Sequence, residues 1–276
     1  MTAVLFVVAT PIGNLEDLSP RALRTLQNVD LILAEDTRHT GHLLQRFGIN
    51  TPTQSLHAHN EKLRQEAIAA LFEQGKRLAL VSDAGTPAIS DPGALVVEMA
   101  HAMQIPVRAI AGPSALAAAL SVAGFSLHQG AFFAGFLPRK GVLREQALVQ
   151  IDRMPGVVVL YESPERVVDT LRDLAERMPD RPACVSREIT KLHEENLRGT
   201  LVELVVRYAD DARGEFVIVL GNNAREEVSL EDAAILDALA RCFAAGMSSR
   251  DAASAVAAVL DLPKKRCYAL AQHDKL

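Results

Sequence analysis

Apolar and polar positions alternate along this chain in blocks whose period changes from strand-like to helix-like and back. Short apolar runs at Val4–Ala9, Asp30–Ala34, Leu78–Ser82 and Val107–Ile110 read as buried strands. Between them lie stretches with helical spacing and recognisable ends. Ser19-Pro20 pairs an N-cap residue with proline at the first helical position, Gly48 ends a helix running from about Thr40 to Phe47, and Asn60 and Gly75 bracket another. Asp91-Pro92 opens the next helix, and Gly112-Pro113-Ser114 opens a small-residue helix that runs to Gly124. Strands alternating with amphipathic helices predict an α/β fold whose sheet is parallel or mostly parallel.

Periodicity weakens over Gly124–Lys140, which places a domain junction there. A second alternating block follows, with a helix near Leu143–Arg153 and another begun by Ser163-Pro164. Its strands are Val157–Tyr161, Ala183–Arg187, Leu197–Thr200 and Phe216–Leu220. Beyond Asn222 the pattern becomes purely helical. Ser229-Leu230-Glu231-Asp232 resembles a capping box, Ser249 caps a second helix that Asp261-Leu262-Pro263 stops, and Lys264-Lys265-Arg266 opens a third. The reading is two α/β domains, 1–124 and 125–224, with a cleft between them and a helical tail over 225–276. That tail is either an RNA-binding helix-turn-helix-like module or a packing appendage.

Composition adds boundaries. Hydrophobic residues make up 49% of the 276 positions and charged ones 23%, which is ordinary for a globular core. A formal charge of −5 excludes a uniformly basic coat but permits local basic surfaces. The cysteines, Cys184, Cys242 and Cys267, are odd in number and lack C-x-x-C spacing, so a reducing cytoplasm is expected and Cys184 reads as a core residue. The first apolar run is too short and wrongly flanked for a signal peptide, and no stretch approaches a membrane span.

Candidate chemistry gathers where strands end. Thr10-Pro11-Ile12-Gly13-Asn14-Leu15 follows the first strand, Leu33-Ala34-Glu35-Asp36-Thr37-Arg38-His39-Thr40 closes the second, and Ser82-Asp83-Ala84-Gly85-Thr86-Pro87 follows the third. Each alone is readable as a tight turn or a helix start. Together they mark the carboxyl edge of a sheet, where open α/β folds bind ligands. No G-x-G and no G-x-x-x-x-G-K-[ST] occurs, so neither common pyrophosphate cradle is present. Ser114 and Ala115 offer helix amides, with Ser114 also readable as a plain N-cap. Tyr161-Glu162-Ser163 and Arg187-Glu188-Ile189-Thr190-Lys191 end strands of the second block and are placed to form an opposite wall, or an ordinary surface set of ion pairs. The pairs His57/His59 and His39/His42 lack a third ligand, so no metal site is expected.

These segments, with Asp91-Pro92-Gly93, Gly112-Pro113-Ser114 and Gly135-Phe136-Leu137-Pro138, resemble the tetrapyrrole methylase superfamily. More narrowly they resemble its bacterial branch acting as 16S ribosomal RNA cytidine 2′-O-ribose methyltransferases. Ala9 stands where many members carry Pro, and Glu165 where His is frequent. The resemblance implies S-adenosylmethionine bound between two α/β domains, a homodimer, and methylation of a cytidine ribose in 16S rRNA of the small ribosomal subunit. It places Pro11, Asp83, Gly85, Thr86, Ser114, Ala115, Tyr161 and Glu188 around the cofactor. Asp36 or Glu188 is then the candidate base, and Arg38 and Lys191 are candidates for holding phosphate or a developing alkoxide. Arg38, Arg139, Lys140, Lys264, Lys265 and Arg266 are the expected RNA contacts. The alternatives are a small-molecule methylase of the same fold and a non-catalytic RNA-binding assembly protein.

Overall fold

The computed structural model describes residues 2–57, 60–209, 212–223, 230–260 and 262–273. Within residues up to Asn223, one compact unit holds two sheets. The first contains β1 (Val4–Val8), β2 (Leu31–Ala34), β3 (Thr53–Ser55), β4 (Arg77–Val81) and β5 (Val107–Ile110), in the order β3-β2-β4-β1-β5. All of its pairings are parallel, as the continuous apolar runs predict.

Side-chain alternation divides this sheet between two cores. Val4, Phe6, Val8, Ile32 and Ala34 pack with α1 (Pro20–Asn28) and α2 (Thr37–Arg46) through Ala22, Leu26 and Leu44. Leu5, Leu33, Leu78 and Leu80 pack with α3 (Glu61–Glu73) and α4 (Ala94–Ala102) through Ile68, Phe72, Val96 and Ala100. The expected Ser19 cap is present, its hydroxyl accepting the Ala22 amide at 3.0 Å. The helix expected from Asp91-Pro92 begins later, at Ala94. The preceding loop is instead fastened by the buried Glu61 carboxylate, which accepts the Gly93 and Leu95 amides.

After β5 the chain enters α5 (Ala115–Ala123), whose buried Ala119 and Ala123 lie against Val157, Val159, Cys184, Val217 and Val219. This helix therefore covers the second sheet, and the chain crosses between the halves in the loop before it. Cys184 is a core residue there, as its apolar neighbours predict.

The second sheet comprises β6 (Ala131–Phe136), β7 (Val157–Glu162), β8 (Pro182–Arg187), β9 (Glu195–Thr200) and β10 (Phe216–Leu220), ordered β6-β7-β10-β8-β9. Only β6 and β7 pair in parallel; the other pairings are antiparallel, so this sheet is mixed. Its other face packs against α6 (Val142–Arg153), α7 (Val167–Arg177) and α8 (Leu201–Tyr208). Buried Arg181 locks the base of this half by donating to the carbonyls of Ile151, Gly156 and Gly221.

The tail, taken by itself, contains α9 (Leu230–Ala244), α10 (Ser249–Leu260) and α11 (Lys264–His273) around Ile235, Leu239, Ala253, Val256, Cys267 and Ala271. The residue whose hydroxyl accepts the Asp251 amide is Ser248, so the α10 cap falls one position before the expected Ser249. Ser229 and Asp261, singled out in the sequence, lie outside the described residues, as does His59. Among the described residues no helix is long and apolar enough to cross a membrane.

Candidate functional site

Loops at the carboxyl ends of the first sheet are tied to one another by backbone and carboxylate hydrogen bonds. Thr10 and Gly85 exchange both backbone bonds, at 2.9 and 3.0 Å, which joins the loops after β1 and β4. Gly85 takes φ +80°, a left-handed conformation that glycine adopts without a Cβ penalty. Asp83 Oδ1 accepts the Asp36 amide at 3.0 Å and joins the loop after β2 to the same cluster. Thr86 Oγ1 donates to the Pro113 carbonyl at 3.1 Å, bringing in the loop after β5. From the second sheet the Tyr161 hydroxyl accepts the Leu116 amide at 3.0 Å, satisfying one orphan donor of the first turn of α5.

These ties enclose a cavity of about 430 Å³, within the usual range for small-molecule sites. Asp83, Gly85, Thr86, Ser114, Ala115 and Tyr161 line it, so six of the residues placed around a cofactor from sequence come together. Ile12, Ile89, Phe136, Phe216 and Val217 supply apolar surface, while Glu35 and Asp91 add carboxylates beside Asp83. Ser114 occupies the N-cap position of α5 but makes no side-chain cap bond.

Burial pushes the Asp91 carboxyl up to about 6, reinforced by the neighbouring charges of Glu35 and Asp83 and opposed by a hydrogen bond from Ser82. Glu35 is raised as well, first by burial and then by Asp83. The loop that carries Asp91 holds Ala88 and Ser90 at φ +65° and +64°, conformations unusual for residues with a side chain.

A second cavity of about 360 Å³ shares Ile12, Asp83, Ala84 and Glu215 with the first. Its remaining wall is Thr10, Pro11, Gly13, Leu15, His39, Thr40, His42, Leu43, Ser82 and Lys191. Pro11, placed beside the cofactor from sequence, lines this second cavity rather than the first.

Glu188 lines neither cavity. Its carboxylate accepts the Glu215 amide at 2.9 Å and pairs with Lys191 Nζ at 2.9 Å. Burial would raise the Glu188 carboxyl, but the Glu215 amide and the Lys191 ammonium outweigh it and hold the group low. Lys191 also reaches Glu215 at 3.1 Å, and these contacts raise it against the opposing effect of burial. Glu188 and Thr190 take φ +52° and +68°, so this loop too is held in an uncommon backbone geometry. Gly13 packs against it so closely that a Cβ there would lie 2.5 Å from Lys191 Cγ.

Asp36 and Arg38 sit outside both cavities and face each other at 3.0 Å. Asp36 also caps α2 by accepting the Arg38 amide at 2.8 Å. Hydrogen bonds from the Arg38 side chain and then its backbone hold the Asp36 carboxyl at about 2. Arg139 and Lys140 are exposed on the turn before α6, beside Arg144 and Arg177. Lys264 and Lys265 are exposed at the start of α11, whereas Arg266 is half-buried and pairs with Asp232 at 2.8 Å.

Sequence reasoning did not select Glu35, Thr40, Asp91, Phe136 or Glu215. Glu35 and Thr40 belong to a segment it had marked. Asp91 belongs to a motif that carries the family resemblance and to an expected helix start, without a site role of its own.

Residues 4–205 match the family model of tetrapyrrole (corrin/porphyrin) methylases. The ribosomal RNA small subunit methyltransferase I of Synechocystis sp. is 42% identical over 270 residues, spanning 97% of this chain and 96% of that protein. The protein of the same name from Xylella fastidiosa (strain Temecula1) is 48% identical over 229 residues, spanning 82% and 84%. Among solved structures, diphthine synthase superposes with a TM-score of 0.62 at 15% identity, over 80% of this chain and 90% of that one. Uroporphyrin-III C-methyltransferase from Thermus thermophilus, complexed with S-adenyl homocysteine, gives 0.55 at 19% identity over 80% and 97%. At such identities the structural likeness is one of fold. Matched by the family model over most of its length and by close relatives over nearly all of it, the chain belongs to the tetrapyrrole methylase family, in the group of ribosomal RNA small subunit methyltransferase I.

Proposed function

We propose that this protein is an S-adenosylmethionine-dependent methyltransferase that modifies the ribose 2′-hydroxyl of a cytidine in 16S rRNA of the small ribosomal subunit, acting as a cytoplasmic homodimer. The observation that carries this reading is the 42% identity to a named rRNA methyltransferase across 97% of the chain, helical tail included.

The first cavity supports the cofactor by its chemistry. S-adenosylmethionine carries a sulfonium, an ammonium, a carboxylate and a purine. Glu35, Asp83 and Asp91 would face the cationic groups, the start of α5 at Ser114 and Ala115, beside the Leu116 amide that Tyr161 holds, would suit the carboxylate, and Ile12, Ile89, Phe136 and Val217 would take the apolar surface. When bound, the cofactor supplies an electrophilic methyl group on a sulfonium centre that leaves as a neutral thioether. The protein's contribution is then to align an acceptor and exclude water.

Asp36 and Glu188 suit a different role from proton acceptor. Hydrogen bonds from Arg38 hold Asp36 at about 2, and the Glu215 amide and Lys191 ammonium lower Glu188 against the opposing effect of burial, which weakens both as bases. Asp36 fixes the start of α2, and Glu188 fixes Lys191 at the rim of the second cavity. Lys191 and the exposed Arg139, Lys140, Lys264 and Lys265 are the cations offered to phosphate. Lysines at a helix N-terminus oppose the helix dipole, so Lys264 and Lys265 are not explained by the stability of α11.

The test is transfer of a radiolabelled methyl group from the cofactor to isolated small subunits, with free rRNA and tetrapyrrole precursors assayed in parallel. Label at a cytidine ribose of 16S rRNA is expected. Label only in the tetrapyrroles, or in none of the substrates, rejects the reading.

A further inference from the structure

Val142 and Leu143, the first two residues of α6, are 72% and 68% exposed, although this helix has its own buried face at Leu148 and Ile151. Aliphatic side chains at a helix start neither cap it nor complement its dipole, so the stability of α6 does not account for them. Just before them stand Arg139 and Lys140, exposed and without an ion pair among the described residues. In the groove alongside, Arg144 pairs with Asp173 and Arg177 with Glu145, which leaves Glu176 against two free cations. The turn that presents this surface is fastened from behind. Arg144 Nη1 donates to the Pro138 carbonyl at 3.0 Å, and Arg166 Nη2 to the Leu137 carbonyl at 2.6 Å. Both arginines are fixed in turn, Arg144 by Asp173 and Thr170 and Arg166 by Glu162. Phe136 lines the first cavity, and Arg139 follows three residues later, a reach of at most about 11 Å.

We propose that residues 139–143 dock an unpaired stretch of the RNA substrate, with phosphates on Arg139 and Lys140 and an open base face over Val142 and Leu143. Cations beside aliphatic groups match what a single strand presents at each nucleotide, a phosphate and a base. Phosphate contacts position the strand, and the aliphatic pair can cover a base only where that base has left its stack. A duplex would offer the phosphates alone. This proposal rests on the rRNA reading above and adds a docking surface that lines neither cavity, with unpaired RNA as its ligand.

Val142→Ser combined with Leu143→Ser removes the apolar pair without touching the core, and Val142→Ile combined with Leu143→Met is the conservative control. Binding to isolated small subunits is measured across a salt series, and S-adenosylhomocysteine binding by calorimetry without RNA. The serine pair is expected to weaken subunit binding about tenfold at every salt concentration while leaving the salt slope unchanged. Arg139→Ala combined with Lys140→Ala is expected to reduce the magnitude of that slope by about 1.4, the value for two phosphates of a single strand. The conservative pair should bind within about twofold of the wild type, and the S-adenosylhomocysteine Kd should stay within about twofold in every variant. Full subunit binding by the serine pair overturns the proposal. So does a parallel loss of S-adenosylhomocysteine affinity, because the turn would then serve the cofactor cavity. Val142→benzoylphenylalanine, photolysed on small subunits, identifies the occupant. Adducts at unpaired nucleotides of 16S rRNA support the proposal, whereas adducts on duplex RNA, on a ribosomal protein or on a second copy of this chain, or none, overturn it. Absence of methyl transfer by the wild-type protein rejects the rRNA reading itself, while transfer with a serine pair that binds fully rejects this surface alone.

Discussion

The Asp83 carboxylate accepts the backbone amide of Asp36 at 3.0 Å, while the Asp83 amide donates to the Glu35 carboxylate at 3.5 Å. Two strand ends far apart in sequence are thereby stitched at the wall common to both cavities. The charge and the stitching are separable. Asp83→Asn retains an oxygen that can accept the Asp36 amide, whereas Asp83→Ala leaves that donor without its partner. Asp83→Asn should weaken S-adenosylmethionine binding about tenfold with little change in melting temperature. Asp83→Ala should show the same loss plus destabilisation of about 1–3 kcal/mol. Calorimetric Kd and thermal melts check both, and equal melting losses for the two variants would refute the separation.

Asp91 makes cofactor binding depend on pH in a definite direction. Its folded-state pKa, about 6, lies above the ordinary aspartate value of 3.8, chiefly through burial and then through Glu35 and Asp83. The folded protein therefore binds this proton more tightly than the unfolded chain, so the group favours folding increasingly as pH falls from about 6 toward 3.8. A cationic ligand acts oppositely, since it prefers the ionised carboxylate. Affinity for S-adenosylmethionine should accordingly fall as pH drops through about 6, and Asp91→Asn should flatten that fall while leaving the smaller contribution of Glu35. Titrations of Kd against pH for both proteins decide it. A wild-type affinity independent of pH would exclude Asp91 from contact with the cation.

Much of this site was legible because parallel strands read as apolar runs and their carboxyl ends stand out as sudden polar turns. Asp83, Gly85, Thr86 and Ser114 all follow such breaks. Asp91 stands in a motif visible in the sequence, but the reach of its carboxylate into the cavity depends on a loop held at positive φ by Ala88, Ser90 and Gly93, which the pattern does not reveal. The strand β6 was hidden differently. Phe132 and Phe133 are only partly buried, Phe136 is exposed, and a register shift between Phe133 and Gly135 breaks the alternation. Helix α8 has the β-branched look of a strand, and its start is set by the reciprocal capping of Thr200 and Glu203. The packing of α5 on the second sheet was not visible either, since a stripe of alanines says that something approaches closely without saying what.

Gly13 carries a prediction about the opposite wall. A Cβ at this position would lie 2.5 Å from Lys191 Cγ, 2.9 Å from Thr190 Oγ1 and 3.2 Å from the Ile189 carbonyl. Lys191 is anchored by Glu188 and Glu215, so it does not yield freely. Gly13→Ala should displace it, lowering kcat/KM about tenfold at a stability cost of about 1–3 kcal/mol. The same substitution made in a Lys191→Ala background should cost markedly less, which a double-mutant cycle measures. Strict additivity of the two changes would mean that Gly13 matters for some other reason.

Lys264 and Lys265 give the tail its own test. Both are exposed at the first turn of α11, where the helix dipole disfavours positive charge, while Arg266 is committed to Asp232. If the pair neutralises phosphates, each contact releases counterions, and the logarithm of the binding constant falls linearly with the logarithm of salt concentration. Replacing both by Ala should reduce the magnitude of that slope by about 1.4 to 2 for binding to small subunits. Removing charge from the wrong end of a helix should also leave the tail as stable as before, or slightly more so. Affinity for S-adenosylhomocysteine, measured without RNA, should not change. Binding to small subunits measured across a salt series yields the slope directly. An unaltered slope would make the basic turn a solvated surface of a packing appendage and leave RNA capture to residues 139–143.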